Sequence, residues 1–388
     1  MVAPVITASE RASFRRCRRQ WDFSAGLRRN LEPAAGGAAP GLGPPDLDRA
    51  VRDALAIYYY PGMWDWDRRV RLPLVTQELE RALARQRATG TEDAAGAGRA
   101  LLARYAAWAP GADRFAPVLV EADFEVTVPD PDPVRPGSGL VTPDGVAVRY
   151  GGRIDLLAVD QHDAYWIVRH RLAEGDWVPA GQLAADEEAL AACWAWEQFY
   201  LGLAITGTIW NELRVQADPS PEPLERSRSW PWRRRPAPAG GTPPAVRQHE
   251  PSGGGRSVPQ HRRLYARATE PADAPAVEQV TGDGFRRTWT RHRPGEVAAA
   301  GQRLAADAAV MIQPDPDVSP EPYDRNCRPC PFLDPCLAER AGRDPSDLLR
   351  ARYQPREAGG AQPGRLGGQA WGMGRGAAPP GFQGRGPG

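Results

Sequence analysis

The 388-residue chain has no lysine: all 49 of its Lys+Arg positions are arginine. Schiff-base formation and any other reaction that needs a lysine amine is thereby excluded. Histidine and cysteine are scarce, at five each. No apolar run reaches the length of a bilayer-spanning helix, and the first residues lack a signal peptide's hydrophobic core. The expected location is therefore cytoplasmic, with no membrane partner. Cysteines are kept reduced there, so clustered ones point to a metal centre rather than to disulfides. The abundance of Ala, Gly, Pro and Arg marks a biased base composition, so no single arginine carries meaning alone. Glycine and proline, 41 each, are frequent enough to predict unstructured segments.

Patterning divides the chain into five parts. Residues 1–110 form an N-terminal helical region. Thr7-Ala8-Ser9-Glu10 fits a capping box opening a helix through about Ser24. Further helices are predicted over Asp46–Tyr60, Leu74–Arg87 and Ala94–Trp108. Residues 111–216 alternate as strands around one capped helix, Glu187 to about Leu201, with Asp186 as its cap. Residues 217–262 read as a disordered basic insertion, and 354–388 as a disordered Gly/Arg-rich tail. Between them, 263–353 supplies a strand at Phe285–Arg291, a helix from Pro294 to about Met311, and three cysteines.

The most site-like stretch is a hairpin, Val146–Val159 and Ala164–Arg171, joined by the polar turn Asp160-Gln161-His162-Asp163. Alternation puts Ile154, Leu156 and Ala158 on one face, with Arg153 and Asp155 on the other. In the second strand Arg169 and Arg171 share a face. One acid and two arginines thus fall near the ends of neighbouring strands.

Cys327, Cys330 and Cys336 lie in Cys-Arg-Pro-Cys-Pro-Phe-Leu-Asp-Pro-Cys. Three thiolates spaced by turn-forming prolines can converge on one metal centre. Spacing alone leaves zinc and iron–sulfur both open. His249 and His261 fall in the predicted insertion, which makes them poor fourth ligands. Cys17 is the better candidate, whereas Cys193 among Ala191, Ala192, Trp194 and Trp196 reads as a small buried hydrophobe.

Together these features resemble a known family. Phe14-Arg15-Arg16-Cys17-Arg18-Arg19-Gln20-Trp21 resembles the opening of RecB-type nucleases of the PD-(D/E)XK superfamily, and so does the terminal Cys-x2-Cys-x5-Cys. The iron–sulfur branch of that family holds a [4Fe-4S] cluster on four such cysteines. The resemblance therefore implies Cys17, Cys327, Cys330 and Cys336 as its ligands, with zinc as the alternative. Gly152-Arg153-Ile154-Asp155-Leu156-Leu157 is similar to the family's GxxD strand, and Trp166-Ile167-Val168-Arg169-His170-Arg171 to its acid-x-Lys strand. The implied fold is α/β and restriction-endonuclease-like. It has a mixed central sheet flanked by helices, an N-terminal helical region and a C-terminal cysteine cluster.

The departures concern catalysis. Asp155 matches the family's first metal-binding acid, but Arg169 replaces the second acid and Arg171 the lysine. Arg52 falls where some members carry a histidine ligand, and Gln-x3-Tyr has no match around Glu188. A guanidinium in place of a metal-binding carboxylate opposes a divalent cation by roughly several kcal/mol. The expectation is a degenerate site in which Asp155 pairs with Arg169 or Arg171, Mg²⁺ is not bound, and the groove is net positive. Such a protein would bind DNA or scaffold a protein partner in a DNA-processing complex. An active metal-dependent nuclease with a relocated acid is the first alternative, drawing on Glu121, Asp123, Glu125, Glu174, Asp176, Glu187 or Glu188. The plainer view makes Glu187 and Glu188 a solvated first helical turn, and Glu121 and Glu125 a polar strand edge. The second alternative is a zinc-stabilised interaction protein.

Overall fold

Local side-chain chemistry sets the first element boundary in the computed structural model of this chain. Thr7 Oγ1 accepts from the Glu10 N–H at 3.1 Å, and Glu10 Oε2 accepts from the Thr7 N–H at 2.9 Å. This reciprocal pair separates strand β1 (Val5–Thr7) from helix α1 (Ala8–Arg16). The structure describes residues 3–34, 46–86, 90–132, 134, 137–173, 175–215 and 277–356. The expected insertion, 217–262, and residues 357–388 lie outside the described residues, as do Glu174, His249 and His261.

The first helix does not run unbroken to Ser24. It stops at Cys17, whose backbone is extended (φ −162°, ψ 110°), and resumes as α2 (Arg18–Ser24). Strand β2 (Leu31–Pro33) follows. Asp46 caps α3 (Leu47–Tyr58), accepting from the Arg49 N–H at 2.9 Å. Helices α4 (Arg68–Gln86) and α5 (Thr91–Ala112) complete the helical region. Helix α4 begins ahead of Pro73 and carries it inside, whereas the sequence pattern places the start after that proline.

The sheet is built from β3 (Phe115–Thr127), β4 (Arg149–Asp160), β5 (Tyr165–Leu172), β6 (Ile205–Leu213), β7 (Val277–Gly282) and β8 (Phe285–Arg291), with β1 added. Between β5 and β6 lie α6 (Ala180–Ala184) and α7 (Glu187–Phe199). After β8 come α8 (Pro294–Met311), α9 (Asp324–Cys327), α10 (Leu333–Arg340), α11 (Ser346–Arg352) and β9 (Tyr353–Pro355). The tail expected from Gln354 starts later, because β9 pairs with β2: Leu31 stands opposite Pro355 and Pro33 opposite Tyr353.

Strands β3, β4 and β5 form an antiparallel meander, β6 returns parallel to β5, and β8 then β7 extend the sheet antiparallel. The fold is therefore α/β with a mixed sheet. Helices cover both faces. On one, Val51, Leu55, Leu79 and Tyr105 pack with Leu156, Trp166, Val168 and Ile209. On the other, Phe14, Trp21, Trp196 and Leu304 pack with Ile154, Leu157 and Ile167. No helix among the described residues is long and apolar enough to cross a membrane.

Candidate functional site

Strand β4 has two different neighbours along one side. Its residues Arg149–Gly151 pair with β1, and its residues Leu156–Val159 pair with β5, while β3 runs along the opposite side. Between those two pairings, residues 152–155 have no strand partner on that side. The strands splay there, and a narrow pocket opens, lined by Ala8, Tyr150, Arg153, Asp155, Arg169 and Glu188 among others. The splay also breaks the expected alternation: Ile154 joins the face of Leu157 and Ile167, not that of Leu156 and Ala158.

Asp155 takes over a ladder position that the diverging strand has vacated. Its Oδ2 accepts from the His170 N–H at 2.8 Å. Desolvation holds its carboxyl above the ordinary range, opposed by the charge of Arg169 and by the His170 N–H. The expected ion pair of Asp155 with Arg169 or Arg171 does not form. Arg169 Nη2 instead donates to Glu188 Oε1 at 2.7 Å, and its guanidinium lies over the Trp210 ring, 5.5 Å from the centroid. Arg169 still feels both carboxylates, Glu188 more than Asp155, and together they outweigh its burial and keep it charged. Glu188 is thus part of the pocket, because the first turn of α7 faces β5. Its neighbour Glu187 receives Arg11, Arg15 and Arg303. With Arg153, Asp155, Arg169 and Glu188 in its wall, the pocket is charge-balanced, not net positive.

Two further groups bear on Asp155. Glu121 sits on β3 between the pairs Val120–Leu156 and Ala122–Ile154, which puts it opposite Asp155. Its φ of +47° is in the left-handed region, a cost of order 1–3 kcal/mol for a non-glycine residue. Burial, then the Asp155 charge, pushes its carboxyl up to about 7, against the pull of Arg153. It is therefore no plain strand edge. Arg52 on α3 adds positive charge near Asp155 and is itself held by Asp48 at 2.7 Å. Asp48 also accepts from the Leu172 N–H at 2.6 Å, tying α3 to the end of β5.

Behind the site runs a buried polar network that sequence reasoning missed. Arg287, fully buried, pairs with Asp113 and donates to Tyr59 and Tyr105 hydroxyls at 2.9 and 2.8 Å. Asn211 bonds Tyr105 and His170 Nδ1, each at 2.9 Å, and Tyr59 stacks on the His170 ring at 5.6 Å. Burial drives His170 down to about 3, so the ring is neutral. The members come from α5, β5, β6, β8 and the residues that follow α3 and α5, and no local motif joins them.

A second candidate site is formed by the cysteines. Cys17, Cys327, Cys330 and Cys336 line one small pocket of about 40 Å³, together with Arg19, Phe332 and Arg340. The break at Cys17 places its thiol here. Asn326 Nδ2 donates to the Arg16 carbonyl at 3.1 Å, joining the two halves. Phe332 stacks between Phe23 and Tyr353, with centroids at 5.3 and 5.2 Å. Burial raises the Cys330 and Cys336 thiols, and Arg19 pulls against the rise at Cys336. By type, four soft sulfur donors near two guanidiniums are ligands that zinc or an anionic iron–sulfur cluster takes. Among the described residues no group of three or more His, Cys, Asp or Glu is set as a single metal ion requires. Cys193 stands elsewhere, buried on α7 with Sγ 3.6 Å from Thr208 Oγ1, and burial pushes its thiol up to about 12. Compared with known proteins, the chain matches no family model and no curated protein.

Proposed function

We propose that the chain is a RecB-like protein of the PD-(D/E)XK superfamily with a restriction-endonuclease-like fold, in which hydrolysis has been replaced by binding. It acts in DNA binding or as a scaffold in DNA processing, and DNA enters this reading through the sequence resemblance. The observation that carries the loss of catalysis is the guanidinium of Arg169, which is hydrogen-bonded to Glu188 and coupled to Asp155. A fixed cation bonded to Glu188, with its charge felt at Asp155, stands where a divalent ion would, but it cannot activate a water. Cys17, Cys327, Cys330 and Cys336 would hold a [4Fe-4S] cluster, which when bound adds a covalent tie between the N-terminal and C-terminal segments.

The active-nuclease alternative draws on one observation: Glu188 shares the pocket with Asp155. In that version Arg169 must swing away before a metal enters. One anaerobic preparation tests both. We expect iron with acid-labile sulfide, measurable DNA binding, and no cutting of DNA with Mg²⁺ or Mn²⁺. Robust metal-dependent cutting that disappears in Asp155→Ala would replace this reading by the active one. Zinc alone, without DNA binding, would replace it by a zinc-stabilised interaction protein.

A further inference from the structure

The face of the sheet that bears Arg169 carries more arginine farther along. Arg171 on β5 stands opposite Glu212 on β6, and Glu212 stands opposite Arg286 on β8. Glu212 spends its charge on Arg286, accepting from Nε at 2.7 Å, and both side chains are buried. Arg171 therefore gains no ion pair from Glu212, and among the described residues it has no carboxylate partner. Arg214 follows β6 on the same face. Its guanidinium lies over the Trp177 ring, 3.8 Å from the centroid, and Arg286 lies over the same ring at 5.2 Å. Arg214 Nε is buried without a hydrogen-bond partner, and among the described residues no carboxylate pairs with it either.

Two half-buried arginines without a carboxylate partner among the described residues thus stand on one face. They lie on neighbouring strands, two residues apart in register, so their backbones stand about 8 Å apart. That suits successive charges on one polyanionic strand better than a single small anion. We infer that Arg171 and Arg214 form a phosphate-binding pair for a nucleic-acid backbone, with Trp177 as the positioning residue of Arg214. Trp177 stacks the guanidinium flat and keeps it ordered before the ligand arrives. The path so defined crosses the ends of β5 and β6, beside the Asp155 pocket. This inference rests on the DNA reading above and assigns residues to it.

The test is fluorescence anisotropy of the full chain, purified anaerobically, with labelled oligo(dT) and with a labelled DNA duplex, over a salt series. Each phosphate contact on a single strand contributes about 0.7 to the slope of log K against log salt. Arg171→Ala and Arg214→Ala should each lower the slope by about 0.7 and weaken oligo(dT) binding about fivefold at 0.1 M salt. The double variant should lower it by about 1.4. Trp177→Ala should weaken binding with little change in slope, and Trp177→Phe should restore it. Arg214→Gln keeps the packing on Trp177 without the charge, so the test survives if the alanine variant fails to fold. A duplex effect equal to the oligo(dT) effect assigns the pair to backbone contact in either form. Wild-type binding with an unchanged slope in the double variant overturns the inference while the DNA reading stands. Absence of wild-type binding to both probes overturns the DNA reading, and the inference with it.

Discussion

Arg169 Nη2 and Glu188 Oε1 lie 2.7 Å apart, joining the middle of the sheet to the first turn of α7. The pair has a direct consequence for metal binding. Arg169→Ala leaves Asp155 and Glu188 in one small pocket without their shared cation. In chelator the variant should lose about 2 kcal/mol of stability, the worth of a charged hydrogen bond. Added Mn²⁺ should restore it, so that thermal melts of the variant become Mn²⁺-dependent while those of wild type do not. A variant blind to Mn²⁺ would show that the two acids cannot close on an ion.

Glu121 predicts an unusual pH dependence. Its folded value of about 7 exceeds the ordinary 4.5, so the native state holds its proton more tightly than the unfolded chain. The stability it contributes is complete below about 4.5 and is lost as pH rises through about 7. Glu121→Gln should remove this loss and stabilise the protein at pH 8 by about 2–3 kcal/mol. His170 works in the other direction. Its folded value of about 3 makes stability fall as pH drops below about 6.5. Denaturation midpoints of wild type and variant, compared at pH 5 and pH 8, measure the Glu121 contribution separately. Equal differences at both pH values would show that Glu121 titrates normally.

The buried pair of Arg287 and Asp113 should be costly to break from one side. Asp113→Asn leaves the Arg287 guanidinium with hydroxyl and amide partners only, and should destabilise by about 3–5 kcal/mol. Combining it with Arg287→Met should recover part of that loss, because the uncompensated charge is gone. Denaturant titration of the single and double variants measures the coupling. Strict additivity would mean the two side chains act independently.

Cysteine substitutions should divide sharply. Cys17→Ser, remote in sequence from the other three, should remove most of the bound iron and sulfide and lower the thermal midpoint. Cys193→Ala should leave metal content unchanged and cost only the packing of one small side chain. Iron analysis and visible absorbance on anaerobic samples decide between them. Equal iron in wild type and Cys17→Ser would exclude Cys17 as a ligand.

What the sequence discloses here is mostly what short stretches of chain decide for themselves. The capping box at Thr7, strand β8 and helix α8 follow from caps, alternation and one early proline. The partner of Arg169 was not legible, because Glu188 reaches it only when α7 folds back over β5. Alternation misplaced Ile154 for a related reason: the side that a residue faces changes where two strands part, and nothing local marks the parting. The network of Tyr59, Tyr105, Asp113, His170, Asn211 and Arg287 was equally hidden. Each of its members looks ordinary in its own segment, and only burial gives them one another.

The same long-range pairing sets a waiting time during synthesis. Strand β2 has no partner until β9 emerges, and Cys17 none of its companion thiols until Cys327 does. At ribosomal speeds of about 5–20 residues per second, that is an interval of roughly 15–60 s. Throughout it Phe14, Trp21 and Phe23, buried in the finished protein, lack part of their cover. The nascent N-terminus should therefore be a client for chaperones. A chain cut short before Cys327 would leave β2 without β9 and Cys17 without its companion thiols.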